Sequence, residues 1–327
     1  MKHPIRAALS GLTLIACLLA SPARAESPAS PPLRLASAGL PSMSIGLLAA
    51  AEGYFDAEGQ PVEVVGCING KDCIARIVAG QADVTIASDT SLVLALHAGH
   101  KLELIATVAS SRRSNSLVAR TDRGIVQGSD LRGRRIGYLA GTSSHFYTET
   151  FLSYHGLAPK DVTLVKLDPV RPIDALLRGE VDAAGLYHPF GAQALEALGP
   201  RGKVLDIPPI YTLTMNLVAR PGLSDAQLIK VLRALQQVAQ MMRNEPGEAY
   251  TLAARVLGTP VERVAVLLRE FDFRLRLDQS LLGTLETESR WAMRSGLSTL
   301  VEPPDYLDVI RARPLRQLEP RAVSMVK

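Results

Sequence analysis

The sequence predicts an α/β protein: two similar doubly wound lobes joined by two crossing segments, with a helical C-terminal region packed on lobe one. Three observations predict it. Short apolar runs alternate with helical patterns in a β-α-β-α rhythm, the signature of open parallel sheets covered on both faces. The rhythm then recurs at a spacing of roughly a hundred residues, too long for a solenoid repeat: Gly59 answers to Gly156, Gly80 to Gly179 and Asp83 to Asp182. Finally, "NSLVAR" (115–120) and "MNLVAR" (215–220) echo each other and read as the strands that cross between lobes. A length of 327 residues fits two domains.

The elements follow in order. "LRLASA" from 33 is strand-like, and "IGLLAAAEGYFDAEG" is helical up to Gly59. "VEVVGC" is β-branched, "KDCIARIVAG" is a helix ended by Gly80, "ADVTIAS" is a strand, "SLVLALHAG" a helix and "LELIATVAS" a strand. The second series runs "RRIGYLA", "SSHFYTETFLSYHG", "DVTLVKL", "PIDALLRG", "VDAAGLY" and "FGAQALEALG". A long helix then opens at Ser224 as N-cap, with Leu228, Val231, Leu232, Leu235 and Val238 at helical spacing. Two further helices precede "FDFRLRL", a strand by its period of two, and a last helix carries Trp291, read as core. The residues from Pro314 are expected to be irregular. The expected boundaries are a signal peptide over 1–25, lobe one over 33–113 plus 218–327, and lobe two over 114–217.

The first 25 residues have the anatomy of an export signal: Lys2 and Arg6, an apolar run from Ala7 to Ala20, and "ARA" before Glu26. Lipidation at Cys17, in "LIAC", is the alternative to cleavage after Ala25. Cleavage removes Lys2, Arg6 and Arg24 and no acid, leaving 33 basic residues against 32 acidic ones. The pI therefore carries no nucleic-acid signal, and no basic stripe is interleaved with aromatics. A periplasmic location follows from export. Cys67 and Cys73 remain as an even pair in an oxidising compartment, which suggests a disulfide, with two free thiols as the alternative. No Cys/His spacing supports a metal. The pair His97 and His100 in "HAGH" reads as a solvated helix C-terminus.

In open α/β sheets, ligands bind beyond the carboxyl ends of the strands. The loops placed there are "SAGLPSMS", "GCINGKDC" and "ASDTS" in one lobe, and "AGTSSHF", "DPVRP" and "YHPF" in the other. They are rich in hydroxyls and glycine at helix starts, where unpaired N–H groups hold anions without lysine. The candidate ligand contacts are Ser42, Met43, Ser44, Ser88, Asp89, Thr90, Gly141, Thr142, Ser143, Ser144, His145, Tyr187 and His188. The plainer alternative is that the hydroxyls merely cap their helices. Asp89 either meets a ligand amine or caps its helix. "GTSSH" departs from the hydrolase nucleophile elbow because His145 replaces the second glycine, and Glu149 forms a helix pair with His145 rather than a triad. No catalytic residue is assigned.

"LLAAAEGYFDAEGQPVEVV", "ARIVAGQADVTIAS", "DLRGRRIGYLAGTSSHFY" and "LLRGEVDAAGLYHPF", in this order and spacing, resemble the nitrate/sulfonate/taurine-type periplasmic solute-binding proteins of ABC importers, a group that includes thiamine-precursor binders. "FDFRLRLDQSLLGTLE" and "ESRWAMRSGL" fit the C-terminal region of that group. The resemblance implies a periplasmic-binding-protein-like fold of type II. It implies a cofactor-free monomeric clamp that takes a small anionic or zwitterionic solute and hands it to an ABC permease and its ATPase. A same-fold enzyme and a solute sensor are the alternatives. Tyr187-His188-Pro189 stands where many relatives read Trp-Glu-Pro, and the Cys67/Cys73 pair is not general in the group.

Overall fold

A computed structural model describes Met1, residues 31–205 and residues 207–325. The export-signal and Cys17 expectations lie outside the described residues. Among these, no helix is long and apolar enough to cross a membrane.

Eleven strands are described: β1 (Leu33–Ser37), β2 (Val62–Gly66), β3 (Val84–Ser88), β4 (Glu103–Ser111), β5 (Asn115–Arg120), β6 (Arg135–Tyr138), β7 (Thr163–Lys166), β8 (Ala183–Tyr187), β9 (Gly202–Val204), β10 (Leu213–Ala219) and β11 (Asp272–Arg276). They form two sheets, ordered β11-β4-β10-β3-β1-β2 and β7-β6-β8-β5-β9. In each sheet the middle strand of a parallel trio comes first in sequence, β1 between β2 and β3, β6 between β7 and β8. That is a topological switch point, and it lies beside the cleft in both lobes.

The sheets are mixed rather than wholly parallel. β10 runs antiparallel between β3 and β4, and β5 runs antiparallel to β8 and β9. The echoed "LVAR" segments are strands, as expected, but neither crosses between lobes. Each is the antiparallel strand of its own sheet, and β10 belongs to the first. The boundary expected at 217 falls inside β10, and the chain passes from one sheet to the other between β4 and β5 and between β9 and β10.

The repeat has a specific hydrogen-bond content. Arg34 N–H donates to Asp83 Oδ2 at 2.8 Å, and Arg135 N–H donates to Asp182 Oδ2 at 2.9 Å. Arg220 N–H reaches the Asp83 carbonyl at 3.0 Å, and Arg120 N–H reaches the Asp182 carbonyl at 2.9 Å. Each aspartate thus ties the first strand of its lobe to the strand that enters antiparallel. Gly80 and Gly179, with φ of 69° and 74°, end the preceding helices in the left-handed region that only glycine adopts freely.

The C-terminal region packs on the first lobe. Helix Asp225–Asn244 is closed at its start by a reciprocal Ser224–Gln227 capping box and buries Leu228, Val231, Leu232, Leu235 and Val238. Helix Gln279–Arg294 lies against helix Asp89–His97. Three local expectations are corrected. The first helix is broken into Ser44–Ala51 and Tyr54–Ala57, because Gly53 turns left-handed at φ 73°. The segment Arg313–Leu318, expected to be irregular, is a helix that buries Pro314 and Leu315. His97 is buried rather than solvated, its Nε2 2.5 Å from Ser289 Oγ.

Candidate functional site

The two switch points face each other across a narrow cleft with a volume of about 30 Å³. That is room for one or two water-sized groups, so the jaws are nearly closed. The first lobe contributes Leu40, Ser42 and Met43 after β1, Asn69 and Gly70 after β2, and Ser88 and Ser91 after β3. The second contributes Thr142 and Ser143 after β6 and Tyr187 at the end of β8. Ser114, from the first crossing, and Leu213 and Met215, from the start of β10, form the back wall.

Three helix starts converge here. Helix Gly70–Val78 is capped by Asn69, whose side chain accepts from Asp72 N–H at 3.0 Å. Helix Asp89–His97 is capped by Ser88, which accepts from Ser91 N–H at 3.2 Å. Helix Ser143–Tyr154 has no side-chain cap. Thr142, at its N-cap position, instead donates to the Leu139 carbonyl at 2.8 Å. The partial positive charge of this twelve-residue helix is thus presented to the cleft without a competing side-chain oxygen from its own cap. No lining residue is charged. Tyr187 adds a buried hydroxyl that lies near Asn69 without hydrogen-bond geometry, and burial pushes its pKa up to about 12, so it stays a donor. The disulfide Cys67–Cys73, with a Cα separation of 5.2 Å, closes the loop that carries Asn69 and Gly70.

Six of the expected contacts line this cleft: Ser42, Met43, Ser88, Thr142, Ser143 and Tyr187. The others do not. Asp89 is fully buried and turned away, accepting from Tyr211 Oη at 2.5 Å, from Thr214 N–H at 2.9 Å and from Thr214 Oγ1 at 3.1 Å. Thr90 donates to Glu288 Oε1 at 2.5 Å. Burial pushes both carboxyls upward, and the neighbouring Asp89 adds to the rise at Glu288. Ser44 is buried behind the lining with an unpartnered hydroxyl. Ser144 is buried against Thr142 at 3.1 Å. Gly141 takes a left-handed φ of 75° beside Lys71, so a turn rather than a ligand requires it. His145 stacks on Tyr138 with ring centroids 4.3 Å apart and faces Glu149 Oε1 at 3.2 Å. His188 borders a separate hollow of about 610 Å³ with Arg112 and Arg113, and burial lowers its pKa to about 4.

The helical period explains the split. Residues 88 and 91 share a face, and 89 and 90 point elsewhere. Leu40, Asn69, Gly70, Ser91, Ser114, Leu213 and Met215 also line the cleft and are not among the expected contacts. The loop holding Asn69 and Gly70 was flagged, whereas Ser114 and the start of β10 become visible only once the crossings are placed.

Two α/β lobes with a hydroxyl-lined cleft at their facing strand ends define a periplasmic-binding-protein-like clamp. The NMT1/THI5-like family profile matches residues 41–249, and the chain belongs to that family. A putative binding protein of Brucella abortus (strain 2308) is 27% identical over 277 residues, covering 80% of this chain and 85% of that one. A putative aliphatic sulfonates-binding protein of Escherichia coli (strain K12) is 23% identical, covering 82% and 83%. The alkanesulfonate-binding protein SsuA of Xanthomonas axonopodis pv. citri, bound to MOPS, superposes with a TM-score of 0.73 at 18% identity, covering 88% of this chain and all of that one.

Proposed function

We propose that this protein is the solute carrier of an ABC importer, working in the periplasm. It closes on a small molecule with an oxyanion head and passes it to a membrane permease. The carrying observation is the cleft's chemistry: three helix starts and several hydroxyls converge with no charged side chain in the lining. Such a surface stabilises a negative head through N–H and O–H donors and offers no carboxylate to an ammonium. Asp89 would have favoured a zwitterion, but its carboxylate is spent on Tyr211 and Thr214. Leu40, Met43, Leu213 and Met215 suit a short apolar tail. The sulfonate-binding relatives fit this reading.

An acyl-transfer enzyme is disfavoured by the same geometry. Ser143 Oγ donates to Asn115 Oδ1 at 3.2 Å, and His145 is turned toward Glu149, so the serine has no base. The clamp works by differential affinity: solute touching both lobes stabilises the closed form over the open one. Thermal-shift measurements against methanesulfonate, taurine, nitrate and pyrimidines test the proposal. At least one anion should raise the melting temperature in a saturable way; flat responses across the panel would refute a carrier of small anions.

A further inference from the structure

A second contact joins the lobes away from the cleft. Glu149 lies on helix Ser143–Tyr154 of the second lobe, with its side chain 11% exposed. Its carboxylate receives His145 Nε2 at 3.2 Å from its own helix. From helix Gln279–Arg294 and its C-cap, packed on the first lobe, it receives Trp291 Nε1 at 2.9 Å and Ser295 Oγ at 2.6 Å. Trp291, the only tryptophan, sets its ring edge-on to His145 and Phe146 at 5.1 and 5.3 Å. Phe146 in turn meets Tyr211 of the second crossing at 5.0 Å. An ion pair between the lobes, Arg263–Glu196 at 2.7 Å, is 59% and 63% exposed and therefore weakened by water and salt.

An opening of the cleft would separate Glu149 from two of its three donors, Trp291 and Ser295, and expose the buried Trp291. Burial alone would raise the Glu149 pKa, but the hydrogen bonds from His145, Ser295 and Trp291 outweigh it and hold it below the usual value. None of Glu149, Trp291 and Ser295 lines the cleft. We propose that Glu149, Trp291 and Ser295 form a latch that sets the open–closed equilibrium without touching solute. They are positioning residues. Apparent affinity scales with the fraction of protein in the competent state, so the latch tunes affinity for every solute alike and leaves selectivity unchanged. The open–closed equilibrium and this affinity consequence rest on the solute-carrier reading.

The test uses the solute-stripped full chain as wild type, Glu149→Ala and Ser295→Ala. The expected result is a larger radius of gyration by small-angle scattering and at least a twofold rise in acrylamide quenching of Trp291 in Glu149→Ala. Ser295→Ala should lie between that variant and wild type. Titration with ethanesulfonate should show affinity about tenfold weaker in Glu149→Ala, as loss of hydrogen bonds to a charge implies. The ratio of ethanesulfonate to taurine affinity should be unchanged. Wild-type radius and quenching in both variants would overturn the latch, as would a changed affinity ratio. Should Glu149→Ala fail to fold, Glu149→Gln and Ser295→Ala decide by the same readouts. Should wild type bind neither compound, a carrier of short sulfonates is refuted, and the scattering and quenching results still judge the latch.

Discussion

Ser143 and Asp83 show how different two polar residues of one chain can be. Ser143 starts the uncapped helix and lines the cleft, so its loss should weaken ethanesulfonate binding by about tenfold, read by calorimetry, while the melting temperature stays within a few degrees of wild type. An unchanged affinity would make the serine a bystander. Asp83 is structural. Burial would raise its pKa, but hydrogen bonds from Arg34 and Arg220 hold it down to about 2. A lowered carboxyl stabilises the fold above its unfolded value, and that stability disappears as pH falls through the folded one. The contribution is up to about 2 kcal/mol, less what solvent screens at the half-exposed arginines. It should be lost between about pH 4 and pH 2; Asp83→Asn should melt lower at pH 7 and converge on wild type near pH 2. At this scale the sequence was partly legible. The Asp83/Asp182 register was visible because the same order of helix, glycine, two residues, aspartate and strand occurs twice in the sequence. The destination of Asp89 was not, since its partners Tyr211 and Thr214 are over a hundred residues away.

Helix Gln279–Arg294 carries two different devices, Trp291 toward the second lobe and Glu288 toward the first. Glu288 is fully buried, and its Oε2 has no hydrogen-bond partner. Burial and the neighbouring Asp89 push its pKa well above the ordinary value of 4.5. A raised carboxyl stabilises the fold below its unfolded pKa and loses that stability as pH rises. Glu288→Gln should therefore match wild type near pH 4 and become the more stable protein as pH approaches 7, measured by denaturant unfolding. A variant less stable at every pH would show that the buried site needs a carboxyl. Strands and helices themselves were well anticipated, because periods of two and 3.6 are local properties of sequence. The pairing of β10 with β3 and β4 was not, because register between distant strands is decided by burial across the sheet rather than by either strand alone. The short β9 lacked enough residues to show a period.

For the whole molecule, the two-lobed architecture was legible from the repeat, and the cleft followed from the rule that ligands sit beyond strand ends. What the sequence left open was the sign of charge in that cleft, because one turn of helix decides whether Asp89 faces solute or core. The structure turns it to the core, and the clamp is left with donors and no carboxylate. The central claim is that this neutral, helix-start-lined cleft selects an anionic head. Calorimetric titration of solute-stripped protein with ethanesulfonate, taurine and ethylamine tests it most directly, since the three share a two-carbon chain and differ in charge. Ethanesulfonate should bind saturably, taurine more weakly and ethylamine not at all. Ethylamine binding as tightly as ethanesulfonate, or taurine binding more tightly than it, would show that the cleft does not select an anionic head.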